Sequence, residues 1–89
     1  MKIINFQWDS ANVEHIARHR VKPFEVEEVL EDDPLLRRTH DGRYLAYGRT
    51  EVGRCLLVIF VWKSEHAARV IAARDLTTAE KKRLKKRRK

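Results

Sequence analysis

The stretch RCLLVIFVWKSEHAARVIAAR, Arg54 to Arg74, decides how this chain folds. From Cys55 to Trp62 it is apolar without a break. That run is far shorter than the roughly 18 residues that cross a bilayer, and at the two-residue period of a strand it is apolar on both faces, so it belongs in the middle of a sheet. Cys55, at its start, is expected to be buried and inert. Lys63-Ser64-Glu65 is a polar turn. His66 to Arg74 then resumes as a strand, with Val70, Ala72 and Arg74 predicted on one face and Arg69, Ile71 and Ala73 on the other.

Working toward the N-terminus, Glu51-Val52-Gly53 is a turn, Arg43 to Thr50 a strand, Asp41-Gly42 a two-residue hairpin turn that needs positive φ, and Leu35 to His40 a first meander strand. Tyr44 and Tyr47 alternate as core aromatics do, and an aromatic on such a strand can also stack on a base. Before the meander, Asp32-Asp33-Pro34 stops a helix, because the residue preceding proline resists the α region. That helix opens at Pro23, where a missing N–H costs nothing. Phe24, Val26, Val29 and Leu30 are its apolar contacts, and Glu25, Glu27, Glu28 and Glu31 are expected to face water. An earlier helix runs from Ser10 to about Arg20, capped by the Asp9 carboxylate, with Val13, Ile16 and Ala17 as its stripe and Glu14 and Arg18 spaced as a pair. Residues 2–8 alternate as a strand, with Ile4, Phe6 and Trp8 sharing a face.

Downstream, Thr77 and Glu80 form a T-x-x-E capping box at the head of a last helix, anchored by Ala79 and Leu84 alone. The order is β-α-α-β-β-β-β-α. Strands segregated from helices give an α+β fold with an antiparallel meander sheet, and 89 residues make one domain, residues 1–89, with a basic helix and tail over 77–89.

Charge divides the chain. Residues 75–89 hold eight of the 20 bases and two of the 13 acids, so the body is nearly neutral and the end carries most of the net +7. A block of this kind attracts polyanions by releasing their counterions. The tail has three readings: a grip on RNA or the ribosome, a dock for an acidic partner segment, or a solvated end. One cysteine excludes an internal disulfide and fits a reducing cytoplasm. The opening residues lack the apolar core of a signal peptide, and no membrane association is expected.

The motifs Phe6-x-Trp8-Asp9-x-x-Asn12-x-x-His15-Ile16-x-x-His19, Phe24-x-Val26-x-x-Val29-Leu30, Asp33-Pro34, Asp41-Gly42-Arg43-Tyr44, Leu56-Leu57-Val58-Ile59 and Arg69-Val70-Ile71-x-Ala73-Arg74-x-x-Thr77 follow one another in order, ahead of a basic end. This series resembles the BrnT-type toxins over nearly the whole chain. Arg20 stands where many members have glycine, and Leu84 where an aromatic is common. The resemblance implies a RelE-like fold and a cytoplasmic bacterial toxin of a type II toxin–antitoxin system. It also implies an endoribonuclease that cuts RNA without a metal or other cofactor, and a small antitoxin partner that supplies any contact with operator DNA.

Such cleavage uses the 2′-hydroxyl of the substrate as nucleophile. It needs a base for that proton, an acid for the leaving 5′-oxygen, and cations about the phosphorus. Arg74 ends a strand just before the capped helix, so Arg74, Glu80 and Lys81 are candidates to meet at one phosphate; Arg74 can equally pair with Asp75 or Glu80, and Glu80 can serve only the cap. His15 and His19 lie four residues apart on one helix face and are candidate acid and base, against a packing or surface role. Their spacing also suits zinc, but no nearby carboxylate or cysteine completes a set, and no metal site is expected. Arg37, Arg38, Arg43 and Arg49 on the hairpins, and Lys82, Arg83, Lys85 and Lys86 on the last helix, are candidate RNA contacts; exposed arginines balanced by the acids of the second helix explain the first four as well. Two other classes of function fit the same residues: a non-catalytic nucleic-acid-binding module, and an inactive toxin homologue acting through protein interaction.

Overall fold

The apolar run becomes β4 (Cys55–Ser64), the centre of a five-stranded sheet. β3 (Tyr44–Arg49) and β5 (Ala67–Asp75) flank it, both antiparallel, and β2 (Leu35–Arg38) extends the meander beyond β3. β1 (Asn5–Gln7) lies outside β5 and runs parallel to it, with Phe6 opposite Ala68, so the sheet is mixed at this edge. Three helices complete the order: α1 (Ser10–Ala17) and α2 (Pro23–Glu31) between β1 and β2, and α3 (Thr78–Arg87) at the end. This computed structural model describes residue 3 and residues 5–87, the side chain of Arg87 excepted. The predicted strand positions Lys2 and Ile4, and the tail bases Arg88 and Lys89, lie outside the described residues. Among the described residues no helix is long and apolar enough to cross a membrane.

The sheet is covered on both faces. Ile16 of α1, Val26, Val29 and Leu30 of α2, and Val21 between the helices pack on Leu56, Val58, Phe60, Ala68 and Val70. Leu76 and Leu84 close the opposite face over Tyr47 and Leu57. Full burial of a residue such as Phe60 or Ile16 contributes about 1.5–3 kcal/mol. α2 lies close on β3: a Cβ at Gly48 would sit 3.1 Å from Val29 Cγ1.

Local signals form as their chemistry requires. Asp9 caps α1, its carboxylate accepting from Asn12 N at 3.1 Å while Asn12 Oδ1 accepts from Asp9 N at 2.9 Å. α1 ends earlier than expected. Val21 N donates to Ile16 O and Arg20 N to Ala17 O, the bond pair of a Schellman turn, with Arg20 left-handed at φ 59°. The buried stripe is Asn12 and Ile16; Ala17 is exposed and Val13 half-buried.

Several expectations are corrected. Asp41-Gly42 is not a two-residue turn. Thr39 N donates to Arg43 O and Gly42 N to Thr39 O, a three-residue loop closed by Gly42 at φ 89°. Thr50 to Arg54 repeats this T-x-x-G-R pattern, with Gly53 at φ 93°. In both loops the threonine hydroxyl accepts from the arginine N–H, so the longer loop is locked by a side chain that a two-residue turn would not use. Phe24 is 57% exposed instead of in the core. Glu25, Glu27 and Glu28 do not simply face water, because they bind Arg54, Trp8 Nε1 and Glu51 N respectively. Ala79 is exposed, leaving Leu84 and Leu76 to hold α3. Cys55 is half-buried, its thiol near Gly53 O. Finally, β5 is bulged: Ile59 pairs with Ala72 but Phe60 with Val70. The skipped residue, Ile71, puts Val70 and Ala73 in the α1–α2 core and turns Arg74 to the face of Leu57 and α3.

Candidate functional site

That bulge aims Arg74 at the head of α3. Its Nη1 donates to Glu80 Oε1 at 2.9 Å and to Asp75 O at 2.9 Å, and its Nη2 to Glu80 Oε2 at 3.0 Å. Glu80 also completes the expected capping box, accepting from Thr77 N at 2.8 Å and donating its own N–H to Thr77 Oγ1 at 3.2 Å. The Arg74 guanidinium, with the Thr77 N–H, holds the Glu80 carboxyl down to about 2. The same pairing raises the Arg74 pKa. At neutral pH, Glu80 is therefore a carboxylate committed to Arg74 and a poor proton acceptor.

Lys81 does not join that pair. Thr78, Lys81, Lys82 and Lys85 line one face of α3, where they border an open groove of about 360 Å³ with Arg49 and Cys55. Their spacing of three, four and seven residues makes one helix face, and Arg49 reaches it because it pairs with Cys55 at the end of the β3–β4 ladder. Four cations without an acid thus border one groove. Arg49 also borders a depression lined by Glu28, Glu31, Asp32 and Glu51. Arg83 and Lys86 are exposed on α3 outside the groove lining.

The other hairpin arginines do not share a patch. Arg37 and Arg38 are exposed on β2, where they pair with Leu45 and Tyr44 and so point to opposite faces. The Arg38 guanidinium lies 5.9 Å from the centre of the Tyr44 ring. Arg43 sits in the first hairpin loop, 3.8 Å from Asp41. Tyr47 is buried, while Tyr44 is half-buried and stacks on Phe60.

His15 and His19 are both exposed, and His19 lies in the turn after α1. Asp75 connects that turn to α3. Its pKa is lowered, first by hydrogen bonding to the Arg54 guanidinium and less by the charge of Lys81. Among the described residues no three histidine, cysteine, aspartate or glutamate side chains come together as a metal-binding set.

Two residues without a role assigned from sequence organise this region. Arg54 binds Asp75, Glu25 and the carbonyls of His19 and Arg20. A lone cation heading the most apolar strand, just after a loop glycine, was its only sequence signal. Asn12, 4% exposed, donates from Nδ2 to Gln7 O and to Val70 O beside the bulge, pinning α1 to β1 and β5. Its signal was a polar residue within an otherwise apolar helix face.

A comparison with curated proteins found no match. Among solved structures, the fold is similar to the 1.1 Å crystal structure of the Brucella abortus ribonuclease toxin BrnT, with a TM-score of 0.66 and 22% identity over 88% of this chain and 100% of that one. The family model described as the ribonuclease toxin BrnT of type II toxin–antitoxin systems matches residues 8–80, from Trp8 through the capping carboxylate Glu80. The chain belongs to the BrnT family of ribonuclease toxins.

Proposed function

We propose that this chain is a metal-independent endoribonuclease that restrains growth by cutting RNA at the head of α3 and is silenced by a small DNA-binding antitoxin. The groove bordered by Arg49, Lys81, Lys82 and Lys85 carries the reading, because four cations along one cleft match the repeated charge of an RNA backbone. In the reaction, the 2′-oxygen attacks the adjacent phosphorus, the bond to the 5′-oxygen breaks, and a 2′,3′-cyclic phosphate and a 5′-hydroxyl result. His19 and His15 supply proton transfer on the α1 side: one takes the 2′-hydroxyl proton and the other protonates the leaving oxygen. Lys81 and Arg74 balance the charge that builds on the phosphoryl oxygens. Glu80 fixes the Arg74 fork at the helix start and moves no proton. Lys82, Lys85 and Arg49 hold the strand, with Arg37, Arg38, Arg43, Arg83 and Lys86 as outlying contacts for a long or ribosome-bound RNA.

The test is cleavage of RNA by purified protein in the presence of a chelator. Cyclic-phosphate ends are expected, and Arg74→Ala is expected to slow cleavage at least tenfold. Full activity in that variant removes Arg74 from the site. One observation favours a second reading: Glu80 already neutralises Arg74. If RNA stays intact while binding falls steeply with salt, the chain is a nucleic-acid-binding module and no nuclease.

A further inference from the structure

Arg54, between the groove residues Gly53 and Cys55, makes side-chain hydrogen bonds to three separate parts of the fold. It stands just before β4, and its side chain is 26% exposed. Nε and Nη2 grip both oxygens of Asp75, at 2.9 and 3.3 Å. Nη1 reaches Glu25 Oε1 at 3.1 Å and Arg20 O at 2.8 Å, while Nη2 reaches His19 O at 3.1 Å. One planar fork therefore joins the turn after α1, the first turn of α2 and the last residue of β5.

We infer that Arg54 is a positioning residue: it fixes the turn bearing His19 relative to the head of α3 and neutralises Asp75, a carboxylate that would otherwise repel an incoming phosphate. This rests on the ribonuclease reading and deepens it. Two physical points carry it. First, the turn that bears His19 is held toward β5 through its own carbonyls, and a guanidinium can bind two carbonyls and a carboxylate together because its five donors lie in a fixed plane. A lysine at 54 keeps the charge and loses the fork. Second, Asp75 ends β5 two residues before Thr77, which caps α3, so without Arg54 on its carboxylate a bare negative charge would stand beside the phosphate path. The charged groups of this network are Arg54 just before β4, Asp75 on β5, Glu25 on α2 and Lys81 on α3.

The experiment compares wild type, Arg54→Lys, Arg54→Gln and Arg54→Gln/Asp75→Asn. It measures RNA cleavage against pH, RNA affinity, and the titration of the His19 imidazole protons by NMR. Arg54→Lys is expected to lower kcat at least tenfold, with KM changed less than threefold and the His19 titration curve displaced. Arg54→Gln is expected to weaken RNA binding as well, and the added Asp75→Asn to restore binding but not kcat. A folded Arg54→Lys with wild-type kcat and an unmoved His19 titration overturns the inference while leaving the ribonuclease reading intact. A wild-type protein that leaves RNA uncut overturns the reading itself. Should Arg54→Gln fail to fold, Arg54→Lys decides alone.

Discussion

Arg74 and Glu80 meet in a two-point ion pair, Nη1 to Oε1 at 2.9 Å and Nη2 to Oε2 at 3.0 Å, and the same carboxylate accepts from Thr77 N at 2.8 Å. A single side chain thus caps α3 and orients the arginine at its head. Stability and site geometry are coupled there, and pH reaches both through one group.

Glu80 is held at about 2 against an ordinary 4.5. A carboxyl whose folded pKa is depressed contributes stability that is fully present above its unfolded pKa and is lost as pH falls through the folded one. The window here is therefore from about pH 4.5 down to about pH 2. With a partner 40% exposed, solvent screening leaves about 1 kcal/mol at stake. Thermal melts across that range are expected to show the loss in wild type and a flatter profile in Glu80→Gln; identical profiles would mean that the pair contributes nothing.

Arg20 occupies a left-handed position, φ 59°, at the end of α1, a conformation that glycine adopts without strain. A Cβ there costs roughly 1–2 kcal/mol, and the greater freedom of glycine in the unfolded chain returns part of it. Arg20→Gly is expected to stabilise the protein by about 0.5 kcal/mol and raise Tm by about 2–4 °C. Because Arg54 binds the backbone oxygen of residue 20, that contact survives the substitution. A lower Tm would show that the arginine side chain matters more than its backbone strain.

Lys81 borders the groove and lies close enough to Asp75 to lower its pKa. If it contacts one RNA phosphate, Lys81→Ala lowers the slope of log affinity against log salt by about 0.7, the value for one phosphate of a single strand. Arg83→Ala, outside the lining, is expected to change it less. Equal effects from the two would describe diffuse attraction to the whole helix instead of a groove.

Asn12 satisfies Gln7 O, Val70 O and Asp9 N from within the core. In Asn12→Leu these backbone groups lose their partner in an apolar setting, at a cost of about 2–4 kcal/mol. Urea denaturation is expected to show a much lower midpoint with an unchanged slope; an unaltered midpoint would place water at those groups.

What the sequence by itself determined lies within four or five residues along the chain: the Asp9 cap, the Pro23 start, the Thr77–Glu80 box, the strands of the meander and the turn glycines. These are short-range contacts between backbone and side chain, and their spacing is written in order. The ordered motifs carried the family as well. Only the tertiary structure decided the rest. It set β1 parallel to β5, skipped Ile71 so that Arg74 faces α3, brought Arg49 beside the Lys81 face of α3, and gathered His19, Glu25 and Asp75 around Arg54. Those pairings span 21 to 35 residues from Arg54. At such separations the burial of two opposite sheet faces selects the neighbours, and no local pattern encodes which distant carboxylate a guanidinium will find.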